Sequence, residues 1–224
     1  MWIKICGNTN LADAALAAEL GADAVGFIFA ESKRQVTAAQ VAAITPHLPE
    51  QVERVGVFYT HDAAEIAQIA TDAGLTAVQL QGGLDEDLFE RLGEKLGDRI
   101  QIIQTLHWTI GEDAVESALA GQLQRIATRK AASRVLIDSK VGAAGGGTGV
   151  SYDWSAARTV FAAAPEHLRL IVAGGLKPEN VADAIAQLRP WGVDVSSGVE
   201  VSARRKDPER LAQFIRNARA TATP

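Results

Sequence analysis

The chain predicts an α/β fold, a single (β/α)8 barrel of parallel strands spanning residues 1–224. Three observations predict it. Short β-type runs alternate with helical patterns from end to end, which implies a parallel sheet. Several of those runs are almost continuously apolar, as strands buried on both faces must be. Eight such units within 224 residues match a compact barrel, the TIM-barrel architecture. An open doubly wound sheet is the alternative, but no G-x-G-x-x-G follows the first strand.

The strands are expected at Trp2–Cys6, Ala24–Phe29, Val52–Phe58, Thr76–Gln79, Ile100–Thr105, Arg134–Asp138, Arg169–Ala173 and Gly192–Ser196. Between them lie Ala-rich amphipathic segments. Leu11, Ala14, Ala15 and Ala18 repeat at helical spacing, as do Ile66, Ile69 and Ala70. Gly21 and Gly74 stand where the first and third helices should stop. Asp62 with Glu65 looks like a capping box. Asp207-Pro208 and Lys177-Pro178-Glu179-Asn180 read as helix starts with proline in the first turn. Residues 111–132 fit one long helix or two short ones. The segment Gly21–Phe27 is echoed by Gly74–Leu80, each after an Ala-rich helix.

Composition narrows the function. The net charge is −5, and no basic stripe interleaved with aromatics is present, so nucleic acid is excluded as a partner. One cysteine excludes an internal disulfide and a multi-cysteine metal site, and it fits a reducing compartment. No apolar stretch reaches the ~20 residues of a membrane span, and no signal peptide is recognised. A cytoplasmic protein that does not engage a membrane is expected. His47, His61, His107 and His167 lack metal-ligand spacing and default to surface or cap roles.

In a barrel of this kind the active site forms at the C-terminal strand ends. Cys6 ends the first strand and Asp138 the sixth, a candidate base or nucleophile and a candidate acid. An aspartate facing an apolar mouth has its pKa raised, as a general acid requires; an N-cap role is the alternative. Lys4 shares strand parity with Cys6 and would favour its thiolate below the ordinary value of ~8.5. Lys4 should equally approach Asp194, because the first and eighth strands are neighbours in a closed barrel. Gly174-Gly175 and Ser197-Gly198 follow strands seven and eight, where backbone amides can close on a phosphate. Arg34, in the loop after strand two, can grip a carboxylate with its planar fork. Tyr152 and Trp154 are expected to pack beneath a loop.

With these residues in view, the chain closely resembles the phosphoribosylanthranilate isomerases of tryptophan biosynthesis. The likeness runs through Lys4–Gly7, Gly21–Phe27, Ser32–Arg34, Val55–Phe58, Ala77–Leu80, Leu136–Asp138, Gly146–Gly149, Asp153-Trp154, Gly174–Val181 and Val193–Glu200. It implies an Amadori rearrangement of a small phosphorylated substrate, with no metal or organic cofactor. By that resemblance Asp138 protonates the ribose ring oxygen and Cys6 removes the proton on the sugar C2. Arg34 holds the anthranilate carboxylate. Gly174, Gly175, Ser197 and Gly198 hold the phosphate, and Gly146 and Gly147 belong to a loop over the substrate. Such barrels occur as monomers or homodimers. Two departures stand out. Gln81 replaces a usual histidine, and Val201–Arg205 replaces a usual Pro-Gly turn before Lys206-Asp207. The rival readings are a histidine-pathway or dual-substrate isomerase, which has aspartate in place of Cys6, and a non-catalytic phosphate-sugar binding barrel.

Overall fold

The structure, a computed structural model, describes residues 1–97, 100–111, 113–129, 132–141 and 152–221. Eight parallel strands close a barrel in sequence order: β1 (Trp2–Ile5), β2 (Ala24–Ile28), β3 (Glu53–Phe58), β4 (Ala77–Leu80), β5 (Gln101–Ile110), β6 (Arg134–Val141), β7 (Arg169–Val172) and β8 (Gly192–Val195). The ring shuts where β1 pairs β8, with Lys4 opposite Asp194. The helices α1 (Leu11–Glu19), α2 (Ala38–Ala42), α3 (Ala63–Asp72), α4 (Glu86–Leu96), α5 (Val115–Arg129), α6 (Trp154–Ala162), α7 (Val181–Leu188) and α8 (Pro208–Thr221) follow the strands in turn. A small hairpin, β9 (Glu200–Ser202) and β10 (Arg205–Lys206), sits between β8 and α8. No helix among the described residues is long and apolar enough to cross a membrane.

The expected strands are present, with two corrections. β5 and β6 run on to Ile110 and Val141. Their flanking neighbours stop earlier: β4 pairs β5 only to Gln104, and β7 pairs β6 only to Ile137. The remaining residues pair with each other, His107 facing Asp138 and Ile110 facing Val141, as a two-stranded ribbon beyond the rim. Asp138 therefore does not end its strand. It stands where the barrel ends and the ribbon begins.

The helix signals divide similarly. Residues 115–129 form one helix, α5. Gly21 and Gly74 take φ of 96° and 62° just past α1 and α3, a conformation that L side chains rarely adopt. Asp62 caps α3 by accepting from Ala64 and Glu65 N–H groups. Asp207 does the same for α8. The start expected at Lys177–Asn180 is instead a turn closed by the Asn180 side chain, which accepts from Lys177 N–H and donates to the Gly175 carbonyl. The helix begins only at Val181. In α1 the buried stripe is Asp13, Ala14 and Ala17, and Leu11 is exposed, so the inward face is rotated from the one its apolar spacing suggests.

Strand parity sorts the interior into layers, because alternate residues point inward. The lower layer is apolar: Trp2, Ala24, Val55, Ala77, Ile103, Leu136 and Ile171 form one buried cluster. Beneath it Trp2 and Trp191 stack at 5.2 Å, and the Arg134 guanidinium lies 5.6 Å and 5.0 Å from their ring centroids. Glu53 grips the same guanidinium through two bonds of 2.6 and 2.9 Å. A larger apolar shell, including Ile66 and Ala70 of α3 and Leu88 and Leu92 of α4, glues the helices to the outside of the barrel.

This plug lies at the end of the barrel away from the mouth. Arg134→Met should cost roughly 1–3 kcal/mol, because it leaves Glu53 without its partner. It should leave turnover within about twofold, since active sites of such barrels form at the opposite face. Chemical denaturation and steady-state kinetics on the same preparation check both halves.

Candidate active site

One residue further along the inward parity the barrel turns polar. Lys4 is fully buried and donates to Asp194 Oδ1 and Gln79 Oε1, each at 2.8 Å. Gln79 passes its amide on to Thr105 Oγ1 at 3.2 Å. The expected approach of Lys4 and Asp194 is thus an ion pair. Cys6, one inward step above Lys4, is held by its own N–H on the Val195 carbonyl at 2.8 Å. The buried Asn8 amide braces the same turn by donating to the carbonyls of Ile5 and Gly26.

Gly26 makes room for this pair. A Cβ there would lie 2.8 Å from Cys6 Sγ and 2.9 Å from Lys4 Cε. The thiol and the lysine stem therefore crowd one point on β2.

Above these groups opens a cavity of about 500 Å³. Its wall includes Cys6, Arg34, Gln79, Asp138, Asp194 and Ser196, which lie on or just past four strands, β1, β4, β6 and β8, and in the loop after β2. A smaller chamber adjoins it and shares Asp138, Asp194, Ser196 and Ser197. Gly174, Gly175 and Leu176 complete that chamber. Gly174 and Gly175 have φ of 82° and 64°, and neither N–H is spent on a partner among the described residues. Ser196 Oγ is buried without a hydrogen-bond partner there. Gly198 lines neither chamber; a Cβ on it would overlap the Leu176 carbonyl, so it lets the loops after β7 and β8 touch. Gly146 and Gly147 lie outside the described residues.

The electrostatics of the two central groups differ. Burial, and then the Asp194 charge, push the Asp138 carboxyl from 3.8 up to about 7, against the Ser139 N–H and Lys4. Asp138 can therefore hold a proton near neutrality. Cys6 corrects the expectation. Lys4 and Lys206 do pull the thiol down, but burial is larger and its pKa ends above the ordinary value. Lys4 loses by burial too, yet Asp194 and the thiolate more than restore it, so it stays an ammonium.

Arg34 reaches the mouth over Gly7, where a Cβ would lie 2.5 Å from Arg34 Cδ. Its fork is already engaged by Glu200, with Nε 2.8 and 3.1 Å and Nη2 2.6 Å from the carboxylate oxygens. That partner was not foreseen in the sequence, nor were the wall positions Gln79 and Ser196. Strand parity is the signal that finds the last two, since both share the inward set of Asp194 and Cys6. The histidines are not uniform. His61 sits on Asp85, the N-cap of α4, at 2.7 Å. His107 is half-buried across from Asp138, with Nε2 3.5 Å from the Gln81 carbonyl. Gln81 itself lines the cavity with a buried Oε1 that has no hydrogen-bond partner among the described residues. Tyr152 packs against Trp108 of the ribbon, ring centroids 5.2 Å apart.

Residues 3–217 match the family model of N-(5'-phosphoribosyl)anthranilate (PRA) isomerase. The chain belongs to the phosphoribosylanthranilate isomerase family. It is an aldose–ketose isomerase of tryptophan biosynthesis. The isomerase of Thermotoga neapolitana is 40% identical over 218 residues, covering 97% of this chain and 98% of the relative. The solved phosphoribosylanthranilate isomerase of Thermotoga maritima superposes with a TM-score of 0.83 at 35% identity, covering 98% of this chain and 99% of the other. A second solved isomerase, TM-score 0.80 and 33% identical over the same shares, is in complex with reduced 1-(o-carboxyphenylamino)-1-deoxyribulose 5-phosphate.

Two outcomes follow from these electrostatics. Lys4→Met should raise the Cys6 thiol pKa further, read from the pH dependence of thiolate absorbance of the chain's single cysteine; an unchanged titration would show that Lys4 does not tune it. Asp138→Asn should stabilise the fold above pH 7 by roughly 2–4 kcal/mol. The sign follows from the raised pKa. Between pH 4 and 7 the folded acid keeps a proton that the unfolded one releases, so wild-type stability falls as pH rises, whereas asparagine has no proton to lose. The gain should shrink towards pH 4, which unfolding at two pH values would show.

Proposed function

We propose that Cys6 and Asp138 are the base and the acid of the family's reaction. That reaction is the Amadori rearrangement of N-(5-phosphoribosyl)anthranilate to 1-(2-carboxyphenylamino)-1-deoxyribulose 5-phosphate. The observation that carries the assignment is that the two groups line one cavity from β1 and β6 and that Asp138 titrates near neutrality. Asp138 gives its proton to the ribose ring oxygen as the C1–O bond breaks, and the anilino nitrogen lone pair forms the C1–N double bond. The Cys6 thiolate takes the proton from C2, and the C–H electrons flow to C1–C2 while the nitrogen recovers its pair. The resulting enolamine tautomerises to the ketose. One turnover leaves the thiol protonated and the carboxyl ionised, and the proton balance is restored through solvent.

The binding roles rest on the same geometry. Arg34 at the mouth takes the anthranilate carboxylate. The amides of Gly174, Gly175 and Ser197 take the phosphate, supported by the uncommitted glycine N–H groups of the smaller chamber, and the Gly198 amide is added to them only by the family resemblance. Gly146 and Gly147 enter only through the family resemblance. The proposal extends to one catalytic domain over residues 1–224 acting in the cytoplasm, where a catalytic thiol is kept reduced.

Removing either central group should lower kcat by roughly 10²–10⁴. The assay follows loss of anthranilate-type fluorescence from freshly generated substrate with Cys6→Ser and Asp138→Asn. Both variants should still bind the reduced product analogue. Full turnover in either would remove that residue's role. A folded wild type that binds a phosphorylated sugar without turnover would favour the non-catalytic barrel.

A further inference from the structure

Arg34 presents a charge problem. A guanidinium in two-point contact with Glu200 is a neutral pair, with no net attraction for a ligand carboxylate. Glu200 is almost wholly buried, its side chain 4% exposed, so water does little to screen it. Lys206 stands on the other side of that carboxylate, with Nζ 3.0 Å from Glu200 Oε1 and a side chain only 1% exposed. Its remaining contacts are neutral acceptors, the Cys6 carbonyl at 2.6 Å and the Ser196 carbonyl at 3.3 Å. Three acceptors match the three N–H groups of an ammonium, and a neutral amine would leave one of them unserved. The group Arg34–Glu200–Lys206 therefore carries one net positive charge.

We propose that Lys206 is a positioning residue that gives Arg34 its preference for a carboxylate, by taking up the charge of Glu200. The inference rests on the assignment of the anthranilate carboxylate to Arg34. The hairpin is built for this task. Its register sets Lys206 opposite Glu200, and the reversal passes through Arg204 at φ 75°. The Lys206 N–H is fixed to the buried Asp13 carboxylate at 3.0 Å, which ties the hairpin to the start of α1. Neither Lys206 nor Glu200 lines the cavity, so neither touches a ligand there, and Glu200 reaches the ligand through the Arg34 fork it holds. The basic run Arg204–Lys206 is thus divided, with one buried member serving the site and Arg204 and Arg205 exposed.

The test compares binding of reduced 1-(o-carboxyphenylamino)-1-deoxyribulose 5-phosphate with its phenylamino counterpart lacking the carboxyl, by calorimetry. The ratio of the two affinities isolates the carboxylate from any general loss of fit. Lys206→Met should reduce the wild-type ratio about tenfold or more, the scale of a charge-assisted hydrogen bond. Lys206→Arg should keep it. The double variant Lys206→Met/Glu200→Gln restores one net positive charge and should restore the ratio, which a purely structural role for Lys206 would not do. If Lys206→Met fails to fold, Glu200→Gln alone decides, because it must hold or raise the ratio. A wild-type ratio in folded Lys206→Met, or a fallen one in Glu200→Gln, overturns the proposal. Arg34→Met separates the two levels: a ratio lost there but unchanged in Lys206→Met sinks the role of Lys206 alone. A ratio unchanged in Arg34→Met sinks the Arg34 assignment and the inference with it.

Discussion

The buried ion pair of Lys4 and Asp194 is the interaction on which the upper half of this barrel depends. An ammonium with no exposed surface is costly unless its charge is matched and its N–H groups are bonded. Asp194 and Gln79 meet both needs at 2.8 Å, and Thr105 completes the chain of bonds. The pair then acts on the groups above it in opposite directions. Burial is the largest cause of the raised Asp138 pKa, and the pair's negative end adds to it more than its positive end opposes it. Its positive end is the stronger influence on Cys6 and opposes the effect of burial. One dipole inside the barrel thus favours a protonated Asp138 and an ionised Cys6, the states that their proposed roles as acid and base need.

The fold separates this chemistry from its own stability. Inward positions near the N-terminal strand ends are apolar and are closed by the Trp2–Trp191–Arg134 plug. Inward positions two residues on include Lys4, Gly26, Gln79, Thr105, Asp138 and Asp194. The absence of a side chain at Gly26 is part of the arrangement, since it frees the volume that the thiol and the lysine stem fill. Gly198 acts similarly at the other wall, where it allows two loop backbones to approach closely enough to form the small chamber. These are packing requirements, and they place the reactive groups without any bond to a ligand.

Much of this was legible in the residues. Apolar runs located the strands, because a strand buried on both faces has little freedom in composition. Closure of the ring then implied that Lys4 meets Asp194, and the ends of the apolar runs singled out Cys6 and Asp138. The length of β5 and β6 was not legible, because a ribbon beyond the rim reads as a loop until its two halves are known to pair. The direction of the Cys6 shift was not legible, because neighbouring charge is visible in a sequence and depth of burial is not. The grip of Glu200 on Arg34 joins residues 166 apart through a loop and a hairpin, and no local pattern announces it. The helix starts at Val181, later than Lys177-Pro178 suggests, because a proline suits a turn as well as a first helical residue.

The measurement closest to the centre of this account is the titration of the Asp138 carboxyl itself. Carbon-13 NMR of aspartate-labelled protein, with the resonance assigned by its loss in Asp138→Asn, would follow it in the wild type and in Asp194→Asn. The account predicts an apparent pKa near 7 in the wild type and a clearly lower one once the Asp194 charge is gone. A wild-type carboxyl titrating near the ordinary ~4, or one indifferent to Asp194, would contradict the claim that the buried pair prepares the acid.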